Sequence, residues 1–239
     1  MKYFGITKVD VEDNKSIIGD VDYTRYNYEG SEKDINTIQR FTAWDLDFYK
    51  SKKIDFIDFI DFDPNNVFTD FIFGSALPSN GFIVSNKVRL LMLKYRLLQI
   101  QFIPIVNSKI PSNSFFFMFF NSDMTDRINY DKTKFYYRNI LNNSFTPIVN
   151  IKNRNDLIEA RKNSVFNIIE VITVKKIFFY GSIDYDVFRI GWFSNSYYFS
   201  KRIIDDLIQN NLTAGARIYS SFNLVYNEYD NETVFDFNH

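Results

Sequence analysis

Gly81-Phe82-Ile83-Val84-Ser85-Asn86-Lys87-Val88-Arg89-Leu90-Leu91-Met92-Leu93-Lys94-Tyr95, followed by Ile100-Gln101-Phe102-Ile103-Pro104-Ile105, decides the fold class. Phe82 to Val84 is a short apolar run of strand type. Ser85 stands where a helix N-cap is expected. Val88, Leu91, Met92 and Tyr95 then fall on one face at helical spacing, which predicts a helix from Asn86 to about Leu98. Ile100 to Ile105 returns as an apolar strand. The unit is therefore strand, serine cap, amphipathic helix, strand.

The same unit recurs near the end of the chain. Tyr197-Tyr198-Phe199-Ser200 matches Phe82-Ile83-Val84-Ser85, and Leu212 and Ile218 match Leu97 and Ile103, at a constant offset of 115 residues. Val88 pairs with Ile203 and Met92 with Leu207, so the two helix faces agree. Two readings stand, an internal duplication or a coincidence of a common strand–helix–strand pattern; under the first, the related halves lie at about 66–110 and 181–222 inside a single domain spanning 1–239.

Working outward, strands are expected near 2–9 and 22–28, and Ser31 is expected to cap a short helix near 32–40. Ile54-Asp-Phe-Ile-Asp-Phe-Ile-Asp-Phe-Asp63 places acids at Asp55, Asp58, Asp61 and Asp63. A spacing of three fits neither a strand nor a long helix cleanly, so this segment reads as a low-complexity edge with solvated acids, or as an acidic contact strip. Phe115 to Phe120 reads as a buried strand; six residues are far short of the ~20 a membrane helix needs. A strand is expected near 133–140, a loop-rich stretch over 142–155, and a helix or turn near 154–161. Strands follow at Val165–Val174, Lys176–Tyr180 and Tyr185–Ile190. Helices packed on sheets follow from this mixture: an α+β (mixed α/β), strand-rich compact fold, with two related strand–helix–strand halves under the duplication reading.

Composition narrows the chemistry. The chain has 239 residues, 46% hydrophobic and 24% charged, which is ordinary for a globular protein. Its 27 Phe and 16 Tyr are not ordinary, although AT-rich coding would enrich Phe, Tyr, Ile, Asn and Lys without any function. There is no cysteine, which fits a reducing cytoplasm. Charges at Asp10, Glu12 and Asp13 interrupt any N-terminal apolar run, so no secretory signal is read. Net charge is −1 with a pI of about 5.9, and no long basic run exists to displace counterions from a nucleic acid.

The single histidine is His239, the last residue. Serine–histidine and cysteine–histidine catalysis and zinc sites of Cys and His lack their atoms. No phosphate-binding glycine loop occurs. Asp61-x-Asp63-x-Asn65 opens like a calcium loop, but Asn66 stands where Gly is needed and Ile72 where the bidentate Glu is needed. No metal or cofactor is expected. Asp45-x-Asp47 and Asp184-x-Asp186 read as solvated surface acids, and Asp205-Asp206 as the exposed face of the last helix. Trp44 and Trp192 read as core, and the sequons at Asn142, Asn211 and Asn231 as chance in an Asn-rich chain.

One resemblance rests on named segments. Thr69-Asp70-Phe71-Ile72-Phe73, Gly81 to Val88 and Ile100 to Ile105 come first. Val187-Phe188-Arg189-Ile190, Tyr198 to Ile203 and Asn211 to Ile218 follow. In that order they resemble the eleventh family of bacterial immunity proteins, over mainly 69–106 and 187–220. The family's Leu-Thr-Gly ending is interrupted here by Ala214. The resemblance implies binding and neutralisation of a cognate protein toxin by occlusion, without catalysis. It implies no transferable catalytic residue.

The expectation is thus a non-enzymatic, cytoplasmic immunity protein with no nucleic-acid partner and no membrane insertion. Asp55, Asp58, Asp61 and Asp63 are the candidate contacts for a basic toxin. The alternatives are a carbohydrate-binding or scaffold module, and a carboxylate-based hydrolase with two convergent acids.

Overall fold

The computed structural model describes residues 2–8, 24–28, 31–32, 54–59, 69–73, 81–106, 111–148, 150–165, 169–191 and 197–237. It is a strand-rich mixed fold, mostly β. The first half of the chain gives strands β1 (Lys2–Lys8), β2 (Thr24–Tyr28), β3 (Ser31–Glu32), β4 (Ile54–Phe59), β5 (Phe71–Ile72) and β6 (Gly81–Ser85). Helix α1 (Asn86–Met92) is followed by β7 (Ile100–Val106), β8 (Phe115–Phe120), β9 (Phe135–Asn139) and β10 (Phe145–Ile148). Helix α2 (Arg154–Val165) leads to β11 (Glu170–Val174), β12 (Lys176–Tyr180), β13 (Val187–Arg189) and β14 (Tyr197–Ser200). Helix α3 (Lys201–Gln209) and the hairpin β15 (Ala216–Asn227) and β16 (Glu232–Asp236) complete it.

Three sheets form. One runs β3-β2-β4-β7-β8-β6-β5, another β12-β16-β15-β1-β14-β13, and a small one β10-β9-β11. The first two contain the same local order, β5-β6-β8-β7 in one and β13-β14-β1-β15 in the other, with every neighbouring pair antiparallel. Phe71 faces Val84 and Ile72 faces Ile83; Val187 faces Phe199 and Phe188 faces Tyr198. The N-terminal strand β1 therefore stands in the second sheet where β8 stands in the first. Ser200 is opposite Tyr3 as Ser85 is opposite Phe115. Past the helices the correspondence slips by one residue. Met118 is opposite Phe102 and its counterpart Ile6 is opposite Ile218, so Phe102, not Ile103, stands level with Ile218.

The two units interlock. The Phe71 N–H donates to Ala214 O just after α3, while the Leu98 N–H just after α1 donates to Val187 O. Helices α1 and α3 pack on each other. Val88, Leu91 and Met92 from one, with Ile203, Ile204 and Leu207 from the other, share one core with Phe82, Val84, Phe120, Tyr197 and Phe199. The opposite face of the second sheet, through Tyr3, Phe188, Tyr198, Phe222 and Phe235, packs into another core with Leu157 of α2 and Ile172 of β11. At β14 that sheet is buried on both faces, which explains the unbroken apolar reading of Tyr197-Tyr198-Phe199.

Several expectations need revision. Ser31 and Glu32 form β3, and the rest of the expected 32–40 helix lies outside the described residues. Ile54–Phe59 is an interior strand between β2 and β7, not an edge. Helix α1 stops at Met92 because Arg96–Leu98 is drawn into bonding with Asp186 and Val187. The stretch read as loop over 142–155 contains β10, whose Pro147 is tolerated at a sheet edge. The strand expected at Val165–Val174 begins only at Glu170, because α2 runs to Val165.

Candidate interaction site

Each of the two strand–helix units is pinned by an aspartate and a serine. The Ser85 N–H donates to Asp70 O at 2.9 Å, and its hydroxyl donates to Asp70 Oδ1 at 2.8 Å. The Ser200 N–H donates to Asp186 O at 2.7 Å, and its hydroxyl donates to Asp186 Oδ1 at 2.7 Å. Both serines have the extended backbone of an N-cap, with φ/ψ of −64/156 and −62/151. Ser85 also caps its helix by accepting from the Val88 N–H; Ser200 makes no such side-chain cap bond. The Asp–Ser pair thus ties the strand preceding each unit to the strand–helix corner.

The two aspartates then diverge. Asp186 is fully buried and saturated. The Arg202 guanidinium grips both its oxygens, Nε on Oδ1 and Nη2 on Oδ2, and the Arg96 N–H donates to Oδ2. Arg202 also lies over the Tyr95 ring, 5.5 Å from its centroid, and the Tyr95 hydroxyl donates to Asp206. Burial pushes the Asp186 carboxyl up, but the hydrogen bonds from Arg202, Ser200 and the Arg96 N–H together outweigh it and hold the group below the usual carboxylate range.

Asp70 is only half-buried, and among the described residues its side chain has the Ser85 hydroxyl alone as a partner. It borders an open cavity of about 540 Å³ lined by Thr69, Asp70, Ser85, Lys87, Asn113 and Phe115, among others. Lys87 occupies the position equivalent to Arg202, two residues after the serine, yet it makes no ion pair among the described residues.

A different surface is exposed on the small sheet. Phe135, Tyr137, Ile172 and Val174 point toward α2 and the core, and the Tyr137 hydroxyl donates to Ala160 O. The alternate residues face solvent. Register places Phe145, Arg138 and Val171 in one row and Pro147, Tyr136 and Thr173 in the next. Ile140 and Ile169 continue the face past the strand ends, joined by the Ile140 N–H to Ile169 O. Phe145 is 45% exposed, Ile140 50%, Ile169 40% and Val171 39%. Lys175 lies 5.4 Å from the Phe145 ring centroid and 5.6 Å from that of Tyr136.

Of the acids singled out in the sequence, Asp55 and Asp58 sit on β4, Asp58 in register with Arg25 and Val106. Asp61 and Asp63 lie outside the described residues, as do Asp45, Asp47, Trp44, Trp192 and His239. Asp184 is an exposed partner of Arg96, whereas Asp186, two residues on, is wholly buried rather than solvated. Nothing in the Asp184-x-Asp186 spacing separates the two; the signal was the recurrence of Asp-φ-φ ahead of each strand–serine corner. Asp205 is exposed, and Asp206 is half-buried under Tyr95.

Among the described residues no helix is long and apolar enough to cross a membrane. No family model matches the chain, and no curated protein matches it.

Proposed function

We propose that this chain is a cytoplasmic immunity protein that binds one cognate toxin and blocks it by occlusion, with no chemistry of its own. The observation that carries the reading is the solvent-facing side of β10-β9-β11. Phe145, Tyr136, Val171, Ile140 and Ile169 stand there as an apolar and aromatic row around Arg138. A monomer gains nothing by exposing such a row, and aromatic and arginine side chains are the types that anchor protein interfaces. The resemblance of 69–106 and 187–220 to an immunity-protein family supports it. We read these segments as two copies of one ancestral strand–helix–strand unit, since they share strand order, the register up to the helices and the Asp–Ser tie.

The acids Asp55, Asp58, Asp61 and Asp63 are proposed as a charged contact that speeds encounter with a basic toxin. A hydrolase reading would need a carboxyl held up as a general acid. Hydrogen bonds from Arg202, Ser200 and the Arg96 N–H to Asp186, and from Lys132 and Asn129 to Glu232, outweigh burial and hold both carboxyls low instead.

The test is co-expression with the product of the neighbouring gene. A one-to-one complex that rescues cells is expected. Phe145→Asp, an exposed change, is expected to weaken that complex by about 30-fold, the loss of about 2 kcal/mol typical of an interface anchor. A chain that captures and rescues nothing overturns the reading and shifts weight to glycan binding or scaffolding.

A further inference from the structure

We propose that the cavity at Asp70 is a receptor for an arginine side chain presented by a protein partner. The argument comes from the chain's own second copy of the site. Asp186 and Asp70 occupy the same place: each precedes a short strand, and each holds the N–H and hydroxyl of the serine at the strand–helix corner. In the second unit this carboxylate is filled by a guanidinium bound through two nitrogens. In the first unit the Ser85 hydroxyl is the only partner of the Asp70 carboxylate among the described residues, and Asp70 lines a cavity of about 540 Å³.

What differs between the units is a short set of substitutions. Lys87 stands in place of Arg202, and Phe115 in place of Tyr3. No main-chain N–H corresponding to that of Arg96 reaches Asp70. A lysine ammonium is a point charge on a flexible stem, whereas the guanidinium fork matches a carboxylate through two parallel hydrogen bonds. Lys87 therefore lines the cavity without closing it, and Phe115 supplies a ring in its wall. Asn113 and Ser114 add polar lining. The site fits an arginine supplied from outside, in the manner in which Arg202 serves Asp186 from within. That the donor is a toxin rests on the reading above; the preference for a guanidinium does not.

The experiment is a titration of the full chain with N-acetyl-arginine amide, with N-acetyl-lysine amide as the second arm, followed by amide chemical shifts. Saturable shifts are expected at Asp70, Ser85, Lys87 and Ser114, with millimolar affinity for arginine and at least several-fold weaker binding of lysine. Asp70→Asn keeps an oxygen for the Ser85 hydroxyl and is expected to lower arginine binding at least ~10-fold, the weight of one charge-assisted contact. Lys87→Arg places a guanidinium where Arg202 stands and is expected to block the site in cis, with the same loss. Because Lys87 is exposed, this variant separates occupancy from folding.

Absence of shifts at these amides overturns the proposal, as does unchanged binding in Asp70→Asn or equal affinity for arginine and lysine. A toxin complex indifferent to both variants would remove the partner's use of the cavity while leaving the immunity reading intact. If no toxin is found, the arginine titration still decides the site.

Discussion

The Asp186 carboxylate ties several elements together. It joins β13 to the Ser200 corner, to the chain leaving α1 through the Arg96 N–H, and to α3 through Arg202. Because its folded pKa is depressed relative to the unfolded chain, its contribution is fully present above the unfolded carboxylate value of about 3.9 and is lost as pH falls through the lower folded value. Acid melts should therefore show stability falling below about pH 4. Asp186→Ala should flatten that part of the profile and cost about 3 kcal/mol at neutral pH, through the stranded Ser200 hydroxyl and Arg96 N–H. Chemical denaturation of both proteins at pH 7 and in the acid range checks this. An unchanged acid slope in the variant would assign it to other groups. Sequence alone reads Asp184 and Asp186 as an alike solvated pair, because burial of the second depends on a partner 16 residues away and another 90 residues away.

At the scale of elements, the strand–serine–helix corners were legible because each is local: an apolar run, a capping side chain and helical periodicity within about 15 residues. Long-range pairing hid the rest. Nothing local stops α1 at Met92; the parallel bridge of Leu97 to Val187 does. Nothing local makes Phe145–Ile148 a strand; pairing with β9 does. The acids of β4 concealed an interior strand, because three-residue spacing matches neither regular period. The turn after α3 depends on one glycine. Gly215 takes the left-handed conformation at φ +85. A Cβ there would lie 2.0 Å from Phe71 O and 2.4 Å from Thr69 Oγ1. Gly215→Ala should therefore break the seam between this turn and β5 and cost at least about 2 kcal/mol, from the strained φ and the backbone clash together. A thermal melt measures it. A neutral result would mean that the turn can re-form without its contact to Phe71.

The whole molecule closes on its first strand. In the first large sheet the position between β6 and β7 is filled by β8, which follows β7 directly. In the second, the equivalent position between β14 and β15 is filled by β1, nearly the full length of the chain away. Tyr3 and Ile6 alternate along β1 into the two different cores, both essentially inaccessible to solvent, and the Tyr3 hydroxyl donates to Tyr185 O at 2.7 Å. β1 pairs with β14 through four residues and with β15 through seven. Burial of the two side chains alone is worth roughly 3–6 kcal/mol. Net hydrogen bonding adds about 1 kcal/mol for each bond of the ladder. Together these match or exceed the roughly 5–15 kcal/mol that holds a domain of ordinary stability. Removing residues 1–8 should therefore abolish cooperative folding rather than trim an end, and should expose the facing edges of β14 and β15 to intermolecular pairing. Far-ultraviolet circular dichroism with analytical ultracentrifugation should show an unfolded or aggregated chain. A soluble monomer with an unchanged melting temperature would show that β14 and β15 can close on each other, and the N-terminal strand would then be a covering rather than the member that completes the second unit.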